Sequence, residues 1–251
     1  MATNGLKESN DGLSKVWKVE SSSEPLTTGG KVELVEVSLD EGYERQVIVC
    51  LYDDNVKIAD WNTGEPVLTL LDDEDDVNDS ISCFAMRPYS FEIVVSTASG
   101  QLQHYALMAS RKKGTSKLVR SIKAHNMPIL CMAYDPTGTL VATGSTDHTA
   151  KIWDIEKGYC THSFREHEEA VSLVRFHPDQ HRLQLTTASH DCSLRFFDLA
   201  DSKCVASFKE HMSLPTAIDW ASDKYLMASV GRDKVRKPHL VKLGRKHQVH
   251  H

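Results

Sequence analysis

The chain has 251 residues, 40% hydrophobic and 25% charged, an ordinary balance for a soluble globular protein and a length that can bury a substantial core, one domain of this size being normal for all-β folds. Its net charge of −6 excludes binding to nucleic acid through a uniformly basic surface and leaves room only for a local basic patch. No apolar run approaches the ~18 residues of a membrane span, the N-terminus MATNGLKESNDG is too polar for a secretory signal, and none of the six cysteines forms a C-x-x-C pair. A soluble intracellular protein with reduced thiols is therefore expected, with no membrane partner.

In chain order, residues 1–14 are rich in Gly, Asn and Ser and are expected as a flexible lead-in. Trp17–Ser23 is a candidate strand, Pro25–Gly30 a turn, and Lys31–Leu39 alternates imperfectly. Val47–Tyr52 is a nearly continuous apolar run, as in a strand buried on both faces. Turns at Asp53–Asn55 and Asn62–Gly64 then separate Val56–Trp61 from Val67–Leu71. Asp72–Asp76 is an acidic run that reads as a solvated loop, or as a docking surface for a basic partner or a divalent ion. It lacks the D-x-D-x-D-G spacing of a calcium loop. Ile81–Met86, Glu92–Ser96, Gln101–Leu107 and Leu118–Ile122 are four further strands. Between the last two, Arg111, Lys112 and Lys113 make a short basic loop; such a loop is most often a solvated turn, and its sharper readings are an RNA-phosphate contact or part of a nuclear localisation signal.

The segment Ala124–Asp154 carries the clearest pattern: an Ala-His pair, an alternating strand at Ile129–Tyr134, a Asp-Pro-Thr-Gly turn, a strand at Leu140–Gly144, and a third at Ala150–Trp153 ending in Trp-Asp. It recurs from Glu166 to Asp198 and again from Glu210 to Val235, with His125, His167 and His211 spaced 42 and 44 apart. Asp53, Ser99, Asp147, Asp191 and Asp233 mark the later turn at steps of 46, 48, 44 and 42. This resembles the WD repeat, whose four-stranded unit is one blade of a β-propeller. The expected fold is all-β: a partial WD-repeat propeller of about five four-stranded blades, the last incomplete, over residues 15–235.

The repeated polar residues have a mechanical reading. His125, Thr143, Asp147 and Trp153 can form one buried hydrogen-bonded chain, which spares each group the cost of being buried without a partner. His167, Thr187 and Asp191 take the same places in the next unit, where Phe197 replaces Trp and the chain should be shorter. His211, Ser229 and Asp233 follow in the third, where His239 stands at the Trp position. A hydrolytic triad is the functional alternative, but a catalytic site occurs once, and this set recurs in every strong unit. The histidines at 162, 177, 181 and 190 show no metal-ligand spacing, and no phosphate-binding glycine loop is present. The chain is thus expected to be no enzyme, with no cofactor, metal or small-molecule substrate.

After Val235 the repeat is expected to stop. Pro238 falls where a strand centre belongs, and Arg236–His251 holds five Lys/Arg, four His and no acid. Residues 236–251 therefore read as a non-repeat basic tail, the ending of a truncated or alternatively spliced product; a basic arm for RNA is the sharper alternative.

PLTTGGKVEL (Pro25–Leu34), the long stretch Ala133–His167, VRFHPD (Val174–Asp179) and SVGRDKV (Ser229–Val235) occur in an order that resembles the transducin-β-like type 3 / Utp family of WD-repeat proteins. The resemblance runs from Trp17 to Val235. Full members carry two tandem propellers and a C-terminal helical domain, so this chain corresponds to the first propeller. The resemblance implies a nucleolar, non-catalytic scaffold of the small-subunit processome, joined to other WD-repeat proteins and, through them, to pre-ribosomal RNA and small nucleolar RNA. Loops near Arg111–Lys113 and Arg232 are the candidate partner or RNA contacts. The rival readings are a fragment without function and a substrate receptor for a cullin-type ubiquitin ligase. The latter is disfavoured because Asp154 and Asp198 are followed by Ile-Glu and Leu-Ala, with no Arg two residues on.

Overall fold

Short strands joined by tight turns pair with their sequence neighbours, and each strand here does so. The computed structural model describes residues 7–9, 16–18, 32–39, 43–52, 55–60, 66–70, 79–108, 114–221, 226–233 and 236–240. A first blade consists of β3 (Val32–Leu39), β4 (Tyr43–Tyr52), β5 (Asn55–Asp60) and β6 (Pro66–Thr69), preceded by the short pair β1 (Lys7–Ser9) and β2 (Val16–Lys18). The second consists of β7 (Ile81–Met86), β8 (Glu92–Thr97), β9 (Gln101–Met108) and β10 (Thr115–Lys123). The third is β11 (Ile129–Tyr134), β12 (Leu140–Ser145), β13 (Ala150–Asp154) and β14 (Tyr159–Phe164). The fourth is β15 (Val171–Phe176), β16 (Gln184–Ser189), β17 (Leu194–Asp198) and β18 (Lys203–Phe208). The fifth has three strands, β19 (Pro215–Trp220), β20 (Leu226–Gly231) and β21 (Arg236–Leu240). All are antiparallel meanders, and β7, β11, β15 and β19 pack on one another in turn, as the innermost strands of a partial propeller.

The register repeats with the sequence. Ile93 pairs with Tyr105, Val141 with Trp153, Leu185 with Phe197 and Met227 with His239, so the intervening turns centre on Ser99, Asp147, Asp191 and Asp233. In the first blade the innermost pair is Tyr52 with Asn55, a tighter hairpin, and Asp53 lies outside the described residues. A bulge recurs on each innermost strand, at Ser82, Leu130, Ser172 and Thr216, which adds the twist a radial stack of sheets requires.

Two segments differ from expectation. Lys7–Ser9, inside the supposed flexible lead-in, pairs with Val16–Lys18 across a sequence rich in turn residues. Arg236–Leu240, assigned above to a non-repeat tail, continues the fifth blade by pairing with β20, and Ala228 stands opposite Pro238. Among the described residues β21 is an edge strand, a place in a sheet where the missing N–H of a proline need cost no ladder bond. The acidic run Asp72–Asp76 lies outside the described residues, and no helix of the described residues is long and apolar enough to cross a membrane.

The core lies between blades rather than within them. Val49, Val56, Ile58 and Leu70 meet Phe84, Ile93, Val95 and Tyr105 between blades one and two. Ala85, Val94 and Leu102 meet Ile129, Val141 and Trp153 in the next layer. Ala133, Ala142, Ala150 and Ile152 then meet Val171, Leu185 and Phe197, with Phe164 stacked on Phe197 at 4.1 Å. Small residues on the receiving face set the spacing: a Cβ on Gly144 would stand 2.6 Å from the Cys131 sulfur and 2.7 Å from Val171.

One turn position shows how backbone conformation and blade packing are coupled. Gly100, His148 and Cys192, each one residue past the turn centre, all have positive φ, of 82°, 67° and 63°. At Gly100 the chain also runs close to the next blade: its carbonyl accepts from Ala124 N and His125 N, and a Cβ would lie 2.6 Å from the His125 carbonyl oxygen. Gly100→Ala should cost more than about 2 kcal/mol, because left-handed strain adds to a clash with backbone that cannot yield. Cys192→Asn, at the same turn position, should instead gain about 0.5 kcal/mol, since Asn tolerates that conformation better. Urea unfolding of both variants against the parent chain measures the difference.

Candidate functional site

In the third blade, strand β12 places Thr143 beside β13 and Trp153, and the segment leading into β11 lays His125 over the turn that carries Asp147. His125 Nε2 lies 2.8 Å from Thr143 Oγ1, and Nδ1 lies 2.7 Å from Asp147 Oδ2. Trp153 Nε1 donates to Thr143 Oγ1 at 3.0 Å. The donors and acceptors close if the imidazole is neutral: indole N–H to hydroxyl oxygen, hydroxyl proton to Nε2, and Nδ1–H to carboxylate. Burial lowers the His125 pKa, and this outweighs the upward pull of the hydrogen bond and charge of Asp147. Burial would raise Asp147, yet hydrogen bonds from Thr149 and His125 hold it below its usual value.

The fourth blade repeats the arrangement. Thr187 Oγ1 lies 2.7 Å from His167 Nε2, and His167 Nδ1 lies 3.0 Å from Asp191 Oδ2. Phe197 offers no N–H, so this chain lacks its first link. The same opposed effects lower His167, burial first, and keep Asp191 well below the carboxylate range. In the fifth blade Ser229 Oγ and His211 Nε2 are 2.7 Å apart, and His211 Nδ1 stands 3.0 Å from Asp233 Oδ2. His239 occupies the register position of Trp153, as a residue of β21.

Sequence inspection missed the hydroxyls on either side of each aspartate. Thr149 Oγ1 and Ser193 Oγ donate to Asp147 and Asp191, while Ser145 Oγ and Ser189 Oγ accept from the aspartate N–H groups and tie the turn to carbonyls of the segment leading into the blade. Their signal is the spacing S-x-D-x-[ST] at Ser145–Thr149 and Ser189–Ser193. The second blade exchanges the roles: Ser99 holds the turn centre, and the carboxylate comes from Asp79, which accepts from Ser99 N at 2.8 Å and from Ser99 Oγ. At the other ends of the strands, Arg87 joins Glu92 of its own blade to Glu156 of the third, at 2.6 and 2.5 Å. Burial alone would raise Glu92, but the bond and charge of Arg87 leave it lowered.

Although hydroxyl, imidazole and carboxylate stand in the connectivity of a hydrolytic triad, their burial denies them that chemistry. Thr143 and Thr187 are 0% exposed and His125 is 1% exposed, so no substrate carbonyl reaches the hydroxyl. Among the described residues, no group of three or more His, Cys, Asp or Glu side chains is placed to hold a metal ion. Of the candidate contact residues, Arg232 is exposed, with its N–H bonded to the Leu214 carbonyl; Arg111, Lys112 and Lys113 lie outside the described residues.

The family model described as WD domain, G-beta repeat, matches residues 116–154 and 158–198, each match taking the outermost strand of one blade and the first three strands of the next, β10–β13 and β14–β17. The chain carries WD repeats. This WD-repeat chain is 34% identical over 219 residues to Transducin beta-like protein 3 of Bos taurus, a match covering 87% of this chain and 26% of that one. The human protein of the same name is likewise 34% identical over 219 residues, 87% of this chain and 25% of its own. A shorter match, 39% over 85 residues, covers 32% of this chain and 10% of U3 small nucleolar RNA-associated protein 13 of Saccharomyces cerevisiae. The chain thus spans about a quarter of the length of the transducin beta-like relatives it matches.

Thr143→Val should cost about 2–4 kcal/mol, because it strands both the Trp153 N–H and His125 Nε2. Thr187→Val leaves only His167 Nε2 without its partner and should cost about half as much; chemical denaturation of the two variants tests the ranking. Acid should act in two windows. Since the folded-state values of His125 and His167 are depressed, their contribution is complete above about pH 6.5 and falls as the pH drops below it. Asp147 and Asp191, also depressed, add a second loss below about pH 4. Urea midpoints recorded across this range should decline in both windows; a midpoint that rises between pH 7 and pH 5 would contradict the neutral imidazoles.

Proposed function

We propose that this chain is a non-catalytic WD-repeat scaffold of small-subunit ribosome biogenesis, acting in the nucleolus through assembly with other WD-repeat proteins. One observation carries the proposal: the 219-residue similarity to Transducin beta-like protein 3 covers 87% of this chain. The match to a U3 small nucleolar RNA-associated protein of yeast points the same way. In this reading pre-ribosomal RNA and small nucleolar RNA are met through the partners, which accords with a chain of net charge −6. The described polar clusters are spent on joining turns to blades, so recognition falls to loops and strand edges carried on a rigid repeat.

The chain, tagged and expressed in cells of its source, should co-purify with WD-repeat proteins of the processome together with pre-ribosomal and small nucleolar RNA. Recovery of chaperones alone would overturn the assignment.

A further inference from the structure

The segment from Arg111 to Lys123, RKKGTSKLVRSIK, contains six Lys/Arg and no acid, in a chain whose remaining residues sum to −12. Most of it is β10, the outermost strand of the second blade. Among the described residues β10 pairs on one side only, with β9, so a row of backbone N–H and C=O groups faces outward. It is nine residues long, against six for the corresponding β14 and β18, and those two strands together contain a single lysine. Basic residues and the bulge at Val119 would, by themselves, blunt an edge against pairing. Leu118 and Val119 say otherwise. They are 48% and 51% exposed in the middle of the basic row, where a blunted edge would carry polar side chains.

We infer that the free edge of β10 takes up an extended peptide of a partner protein, acidic with interspersed aliphatic residues, as a fifth strand of the second blade. The backbone ladder would supply affinity, Leu118 and Val119 would receive the aliphatic side chains, and Lys117, Arg120 and Lys123 would pair with the carboxylates. Two of these cations are already held in place: Arg120 donates to the Glu156 carbonyl and Lys123 to the Ser99 carbonyl. The guanidinium keeps further donors for a ligand. An RNA strand fits less well, because β10 has no aromatic side chain on which a base could stack. The inference rests on the scaffold reading, since it names one kind of partner for it, yet its test needs only the purified chain and so fails or succeeds separately from co-purification.

The probe is a fluorescein-labelled peptide of alternating Glu and Val, matched to the nine residues of β10 and titrated with the whole chain under anisotropy detection. Saturable binding is expected, weakened about tenfold by Leu118→Glu and by Lys117→Glu, with urea midpoints showing that both variants remain folded. Hydrogen exchange on the parent chain should show added amide protection in β10 when peptide is present, a readout that needs no variant. The inference is overturned by absence of saturable binding, by equal binding of a peptide N-methylated at alternate residues, which would reveal charge attraction without a ladder, or by preference for an oligouridylate of similar charge.

Discussion

A four-stranded sheet of five- or six-residue strands has two apolar faces and can bury neither by itself. That constraint governs the whole molecule. Each blade from the second to the fourth divides its side chains between two neighbours, as β11 does with Met132 turned to the second blade and Ala133 to the fourth. Apolar packing of this kind has little direction, and two stacked sheets could slide by a residue with modest loss. The buried polar chains remove that freedom. Each fixes a leading histidine, a strand hydroxyl and a turn aspartate to one geometry, and a slip would leave several of these groups buried without partners.

The second blade shows that the requirement is for a closed set of hydrogen bonds and not for particular residues. Where Ser99 replaces the turn aspartate, the carboxylate moves to Asp79 on the adjoining segment, and the turn is tied down as before. The fourth blade shows the converse. Phe197 surrenders the indole N–H, and its ring stacks on Phe164, so an aromatic contact takes over part of what the hydrogen bond supplied.

These cases also separate what the sequence discloses from what it conceals. The period, the strands and the His–Asp pairing are legible because they recur, and recurrence can be counted without any structure. The exchange between Ser99 and Asp79 is not, since it replaces one repeat residue by a side chain twenty positions away. Nor is the Arg87–Glu156 bridge, which joins residues 69 apart and belongs to a single pair of blades. The strand at Arg236–Leu240 was hidden by Pro238, whose prohibition applies to strands paired on both sides. Whether a strand has one neighbour or two is a property of the sheet, and no local pattern reveals it.

The fifth blade tests the dependence of each sheet on its neighbours. Ala142 and Thr186, on the second strands of the third and fourth blades, are buried, whereas Ala228 at the same register is exposed and Leu226 is 37% exposed. These positions stay small or aliphatic, for Ala228 and Val230 stand where Ala142 and Gly144 face the following blade, with a glycine exchanged for valine. What differs is the burial, and with it the hydrophobic stabilisation of roughly 25 cal/mol per Å² that holds the other sheets closed. Among the described residues Ile218, Met227 and the partly buried Trp220, turned back toward Ala188, Leu194 and Phe196, anchor the fifth blade from within. Local opening therefore begins at this end of the described fold and is resisted most by the third blade, where both faces and every link of the polar chain are engaged.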